Sequence, residues 1–131
     1  MTMVIYLDTE TTGNGSQDRL CQIAFKPENG AAVSGLFNPG RPISIDAMVV
    51  HHITDKMVED QPPFTGSEEH NQLRDLINNT DNVIVAHNAQ FDMRMLHMEG
   101  IFSTRVICTL KLSRYLDKNG VIPKYNLQYL R

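Results

Sequence analysis

Apolar residues recur along this chain with two different periods, and the changes from one to the other mark out its elements. Met3-Val4-Ile5-Tyr6-Leu7 is a short, partly β-branched apolar run of the kind that forms a core strand. Residues 20–25 and 31–37 predict two more strands, joined around Pro27-Glu28-Asn29-Gly30, while Thr12-Gly13-Asn14-Gly15-Ser16 reads as a loop. Three strands in such close succession predict an antiparallel meander. Residues 45–52 and 54–59 predict short helices, the second capped by Thr54, before Gln61-Pro62-Pro63 breaks the chain. Residues 67–79 then show helical spacing, with Leu73, Leu76 and Ile77 on one face. Val83-Ile84-Val85-Ala86 predicts a strand, Asn88 the cap of a helix over residues 89–99, and residues 105–108 a fifth strand. A helix over residues 109–116 follows, and residues 127–131 read as the start of another.

A meander followed by alternating helices and parallel strands is an α/β arrangement, a mixed five-stranded sheet with the Asp8 strand central. Right-handed crossovers put helices on both of its faces. The 131 residues suit a single domain over 1–131, long enough to bury a core without disulfides. The last predicted helix has barely opened at Arg131, so we expect a domain lacking its C-terminal helices, with the uncovered apolar surface favouring a homodimer. Cys21 and Cys108 lie in apolar, strand-like runs and read as buried free thiols rather than zinc ligands. The N-terminal apolar run is too short for a signal-peptide core, and no segment reaches the length of a membrane span. The expectation is a soluble, cytoplasmic protein.

Charge and chemistry sharpen this picture. The formal net charge of −3 does not by itself suggest a nucleic-acid binder. Its distribution is uneven, however: residues 1–104 carry six basic and fourteen acidic side chains, and residues 105–131 six basic and one acidic. The basic end, with Lys111 and Arg114, either holds phosphates beside a site or is a solvated helix face. Asp8 and Glu10 follow the first strand two residues apart, which points both carboxylates to the same side. Two acids so placed repel one another unless a cation neutralises them, and a hard divalent ion such as Mg2+ does so with oxygen ligands. Asp92 supplies a third carboxylate from the early turns of the helix after the Val83 strand, where the other reading is an acid complementing the helix dipole. Asp-Thr-Glu-Thr at 8–11 and His-Asn-Ala-Gln-Phe-Asp at 87–92 together supply the material of a two-metal phosphodiester-cleaving site.

These two motifs resemble those of the DEDDh 3′-to-5′ exonucleases, whose fold is ribonuclease H-like. The resemblance extends through Arg41-Pro42-Ile43-Ser44, residues 47–51, Ile53-Thr54 and Met57-Val58, and through residues 107–114 and Pro123-Lys124-Tyr125-Asn126-Leu127. These intervening segments are most similar to those of the exonuclease X group. The resemblance implies two Mg2+ ions, for which Mn2+ can substitute. Asp8 would bridge both, Glu10 would hold the ion that activates water, and Asp92 would help hold the ion beside the leaving group. It also implies that Thr11, Thr12 and Gly13 contact the terminal nucleotide through backbone groups and hydroxyls, with an ordinary turn as the other reading of Thr12-Gly13. Asn88 would bind substrate or cap its helix, and capping is the preferred reading. Phe91 belongs to the same motif and is a candidate substrate contact, with core as the preferred reading. His51 matches a family position near the site, with a structural histidine bonded to backbone as the preferred reading.

The family's closing histidine and aspartate, about four residues apart, have no counterpart after Asp92. His97 lies mid-helix as a surface or packing residue, Asp117 is too far from it, and Tyr125 is followed by Tyr129 rather than by an aspartate. Two functions therefore stand open. One is a metal-dependent 3′-to-5′ exonuclease acting on single-stranded or 3′-ended nucleic acid, DNA favoured over RNA, with this chain itself severely impaired. The other is a non-catalytic module that binds nucleic acid or protein and retains the exonuclease fold.

Overall fold

The computed structural model describes residues 2–130. The strands β1 (Val4–Thr11), β2 (Leu20–Pro27), β3 (Val33–Leu36), β4 (Val83–Ala86) and β5 (Val106–Cys108) form one sheet in the order β3-β2-β1-β4-β5. β1 pairs antiparallel with β2 and parallel with β4, and β5 adds parallel to β4. The meander, the parallel half and the central place of the Asp8 strand are those the sequence predicts. β1, however, runs on past Leu7 through both acids to Thr11, because β2 continues to pair with it from Ile5↔Pro27 to Glu10↔Gln22. The register slips between Glu10 and Thr11, a bulge of the kind that re-aims side chains at a sheet margin.

Alternation along β1 sorts its side chains. Ile5, Leu7, Thr9 and Thr11 are buried, whereas Tyr6 and Asp8 are exposed and Glu10 half-buried. The buried set meets α3 (Glu68–Asn78) and α4 (Ala89–Met98) in a core that includes Phe25, Leu73, Ile77, Ile84 and Leu96. A smaller cluster of Cys21, Ile43, Ile53 and Val58 sits under α1 (Ile45–His51) and α2 (Asp55–Val58). The hydroxyls of Ser44, Thr54 and Ser67 cap α1, α2 and α3 by accepting a backbone N–H three residues on.

Tyr6, Asp8, Ala24, Lys26 and Val85 border an open depression of about 320 Å³ on the opposite face, reached by Thr109 and Leu127. Thr109 begins α5 (Thr109–Leu116) and Leu127 begins α6 (Leu127–Leu130), which buries no side chain, as α5 buries none. The last residue of the predicted terminal helix, Arg131, lies outside the described residues. Among the described residues no helix is long and apolar enough to cross a membrane.

A buried acid ties these parts together. Glu99, 5% exposed at the end of α4, accepts hydrogen bonds from Arg19 Nη2 at 2.7 Å and Nε at 3.1 Å, and from the Thr65 hydroxyl. Its carbonyl pairs with His70 Nε2 at 2.7 Å. One residue thus joins α4, the start of α3 and the turn entering β2.

Candidate active site

Asp8 and Glu10 leave β1 on the same side, as their spacing requires. Asp92 comes to the strand from α4. β4 stops pairing with β1 at Tyr6↔Val85, so beyond that point the β1 edge is open, and Asp92 fills it. Its Oδ1 accepts the Thr9 N–H at 3.1 Å and the Thr9 hydroxyl at 2.5 Å. The helix carboxylate is therefore positioned by the residue between the two strand acids.

Burial disfavours the charged form of all three carboxyls, and for Glu10 and Asp92 the neighbouring acids add to it. Burial pushes Asp92 up to about 7, its bonds to Thr9 pulling the other way and the charges of Asp8 and Glu10 adding to the rise. Asp8 is raised chiefly by burial, and Glu10 by burial and by Asp8, with His87 and His51 offsetting each in part. Among the described residues the ion pairs join Arg19 to Glu99, Arg41 to Asp18 and Arg74 to Asp75, leaving the three site acids without a cationic partner. Among the described residues no three His, Cys, Asp or Glu side chains are grouped so as to hold a metal ion. The donors that Asp8, Glu10 and Asp92 offer are carboxylate oxygens, of the type a hard divalent ion takes in preference to a soft one.

Next to Glu10 lies a cavity of about 560 Å³ bounded by Thr11, Gly13, Val50, His51 and Phe91. His51 is held from both sides. Ile53 N–H donates to its Nδ1 at 3.0 Å, so Nε2 carries the proton and donates to the Thr11 carbonyl at 2.8 Å. Both ring nitrogens are thus committed to backbone, and the imidazole braces the end of β1 against α1. The adjoining turn is knitted on Asp18, whose Oδ1 accepts the Thr12 hydroxyl at 2.6 Å and whose Oδ2 accepts Gly15 N–H at 2.7 Å. Gly13 leaves room for that carboxylate: a Cβ would stand 2.7 Å from Asp18 Oδ2 and push it aside.

Several expectations change at this level. Thr12 is fully buried, its hydroxyl donating to Asp18 and accepting the Arg19 N–H, so it is not free for a nucleotide, whereas the Thr11 hydroxyl donates to the Gly13 carbonyl at 2.9 Å and keeps its acceptor lone pairs. Asn88 does not cap α4: its backbone is left-handed (φ 61°, ψ 49°) and its side chain makes no cap bond. Cys108 Sγ accepts the Ala89 N–H instead, at 3.4 Å. That also corrects the reading of Cys108, which is half-buried; burial alone would raise its thiol, but backbone N–H groups from Lys111, Ala89, Leu110 and Asn88 bring it below the usual range. Cys21 is fully buried, and its thiol is pushed up to about 12 by burial and the charge of Glu10. Phe91 is half-buried and lines the cavity rather than the core. Thr9, Asp18 and Glu99 support the site without any signal in sequence spacing; only the strand alternation hints that Thr9 faces away from its two neighbours.

A mixed sheet in this order, with acids on its central strand and a third on the helix beside it, defines a ribonuclease H-like α/β protein. A family model described as exonuclease matches residues 5–121, a stretch that contains every site residue named here. The chain belongs to this exonuclease family, in keeping with the two DEDDh-type motifs at 8–11 and 87–92. Exodeoxyribonuclease 10 of Escherichia coli K12 is 39% identical over 126 residues, covering 87% of this chain and 48% of that protein. A DNA polymerase III subunit epsilon-like protein of Rhodobacter capsulatus is 36% identical over 128 residues, covering 86% of this chain and 17% of the relative. The chain thus spans about half the length, or less, of these relatives. Exonuclease X solved in complex with 5′ overhanging duplex DNA superposes with a TM-score of 0.70 at 36% identity, over 99% of this chain and 70% of that one. Exonuclease I in complex with a dT13 oligonucleotide, at 15% identity and a TM-score of 0.79 over 99% of this chain and 35% of that one, shares the fold.

Proposed function

We propose that this domain hydrolyses phosphodiester bonds at the 3′ ends of nucleic acid, DNA in preference to RNA, in the presence of Mg2+ or Mn2+. The observation that carries the reading is that Asp92, from α4, is bonded to Thr9 between Asp8 and Glu10 on β1, its carboxyl pushed up to about 7 first by burial and then by those two charges, with no Lys or Arg ion-paired to the three acids among the described residues. Asp8, Glu10 and Asp92 would hold two divalent ions, which when bound neutralise charge on the phosphodiester and acidify an attacking water. The chain's own residues do the rest. The cavity between β1 and α1 is of a size that receives a nucleotide, roughly 300–1000 Å³ being usual for such sites. Gly13 lets its turn approach closely, and Phe91 and Val50 offer apolar contact to a base. His51, bonded to backbone through both ring nitrogens, fixes one wall and leaves neither nitrogen to face a water. Preference for DNA is supported by the relatives named as an exodeoxyribonuclease and as an exonuclease bound to duplex DNA.

The test is a 5′-labelled oligodeoxynucleotide incubated with the chain in Mg2+ or Mn2+, beside its RNA counterpart and the Asp8→Ala variant. A slow ladder that shortens stepwise from the 3′ end, as expected of a chain without the family's closing histidine and aspartate, and abolished in Asp8→Ala, is the expected result. Internal cuts, or a ladder that survives Asp8→Ala, would overturn the assignment. Tight binding without cleavage in either metal would favour a non-catalytic module that binds nucleic acid.

A further inference from the structure

We propose that the groove on the outer face of α4 carries the nucleotides immediately upstream of the 3′ end, with Arg94 as their phosphate-binding residue. The inference rests on the function proposed above and names where the rest of the strand lies. The groove, about 460 Å³, is lined by Asn88, Gln90, Phe91, Met93, Arg94 and His97. Phe91 is also a wall of the cavity beside Glu10, so a strand whose last nucleotide occupies that cavity continues over this ring into the groove.

The groove is chemically suited to a single strand. Arg94 lies with its guanidinium carbon 5.3 Å from the centroid of Phe91, and its Nη2 donates to the Asn14 carbonyl at 2.9 Å. The ring beneath it and the carbonyl beside it fix the plane of the guanidinium, and a fork of five N–H donors with one so used has the others to offer a phosphate. At the far end His97 packs against Phe102, centroids 4.8 Å apart, and gives a flat partner for a base. Phe91, Arg94 and His97 recur every three residues and form one stripe along about 9 Å of helix. Asn88 and Gln90 add carboxamides at the end nearest the carboxylates, and the left-handed backbone that stops Asn88 capping the helix leaves its amide at the groove. A planar cation, aromatic rings and amides in a line are what sequence-tolerant single-strand binding uses.

Fluorescence anisotropy with the full chain, with Ca2+ replacing Mg2+ to hold back turnover, reads this directly. Arg94→Gln is expected to weaken a labelled pentadeoxynucleotide about fivefold or more and to lower the slope of log affinity against log salt by about 0.7, the value for one single-strand phosphate contact. Binding of thymidine 5′-monophosphate, which reaches only the terminal cavity, should not change. Arg94→Lys should keep the slope, and His97→Ala should weaken the pentanucleotide but not a dinucleotide. Equal losses for the mononucleotide and the pentanucleotide in Arg94→Gln would make Arg94 a brace of the 13–18 loop acting through Asn14, and no loss for either would leave the groove without a ligand. Each of these outcomes overturns the inference alone. Failure of the parent chain to bind any oligonucleotide would overturn the proposed function with it.

Discussion

Asp92→Asn separates what the carboxylate site does for function from what it does to stability. Asp92 is 3% exposed, and its carboxyl is pushed up to about 7, first by burial and then, against its bonds to Thr9, by Asp8 and Glu10. In the unfolded chain the same group titrates near about 3.9. Between those values the folded protein holds a proton that the unfolded chain has released. This group's contribution is therefore most favourable at low pH, and stability is lost as pH rises from about 4 through about 7. A gap of about three pK units corresponds to roughly 4 kcal/mol when fully expressed. Asparagine keeps the planar shape and an oxygen for Thr9 but carries no charge. With EDTA present, the variant's advantage over its parent should be at least about 2 kcal/mol larger at pH 8 than at pH 5, where only about the first of the three pK units has been lost, roughly 8 °C in midpoint for a domain of this size. Urea unfolding followed by circular dichroism at the two pH values measures this. Mn2+ added at pH 8 should raise the parent's midpoint and leave the variant's nearly unchanged. A variant no more stable than its parent at pH 8, or equally stabilised at both pH values, would refute the claim that an unanswered buried charge is stored here.

Thr9→Val removes the 2.5 Å hydroxyl bond to Asp92 while keeping the side-chain shape, and should lower stability at pH 8 by about 1.5–3 kcal/mol in the same urea assay. Glu99→Gln breaks the pair with Arg19; because the arginine side chain is 36% exposed, the cost should be about 2 kcal/mol, below that of a fully buried pair, read as an earlier urea midpoint. Lys111→Glu and Arg114→Glu on exposed α5 should weaken single-strand binding and flatten its salt dependence if this end of the chain holds phosphates. An unchanged slope would mark it as a solvated face.

What was legible in the sequence was what local chemistry decides. Thr54 and Ser67 cap their helices because a hydroxyl reaching an N–H three residues on needs no distant partner. Asp8 and Glu10 share a side because a strand alternates. The failures lie where contacts are remote in sequence. Thr9 holds Asp92 across 83 positions, and Arg19 holds Glu99 across 80; neither pairing leaves a periodic trace. Asn88 looks like a cap by residue type, but its backbone turns left-handed, its own carbonyl takes the Phe91 N–H a capping side chain would serve, and Cys108, from the neighbouring strand β5, accepts the Ala89 N–H. The Thr12 hydroxyl fails as a substrate contact for a similar reason: Asp18 already holds it.

The alternation of β1 also shapes how the strand tolerates change. A library covering positions 4–11, selected once for folding and once for cleavage, should return two interleaved combs. Ile5, Leu7 and Thr9 would be purged in the folding selection, whereas Asp8 and Glu10 would drift freely there and be restored only when cleavage is demanded. Neighbouring codons in this strand would then answer to different selective pressures, and protein abundance alone would report nothing about the residues on which chemistry depends.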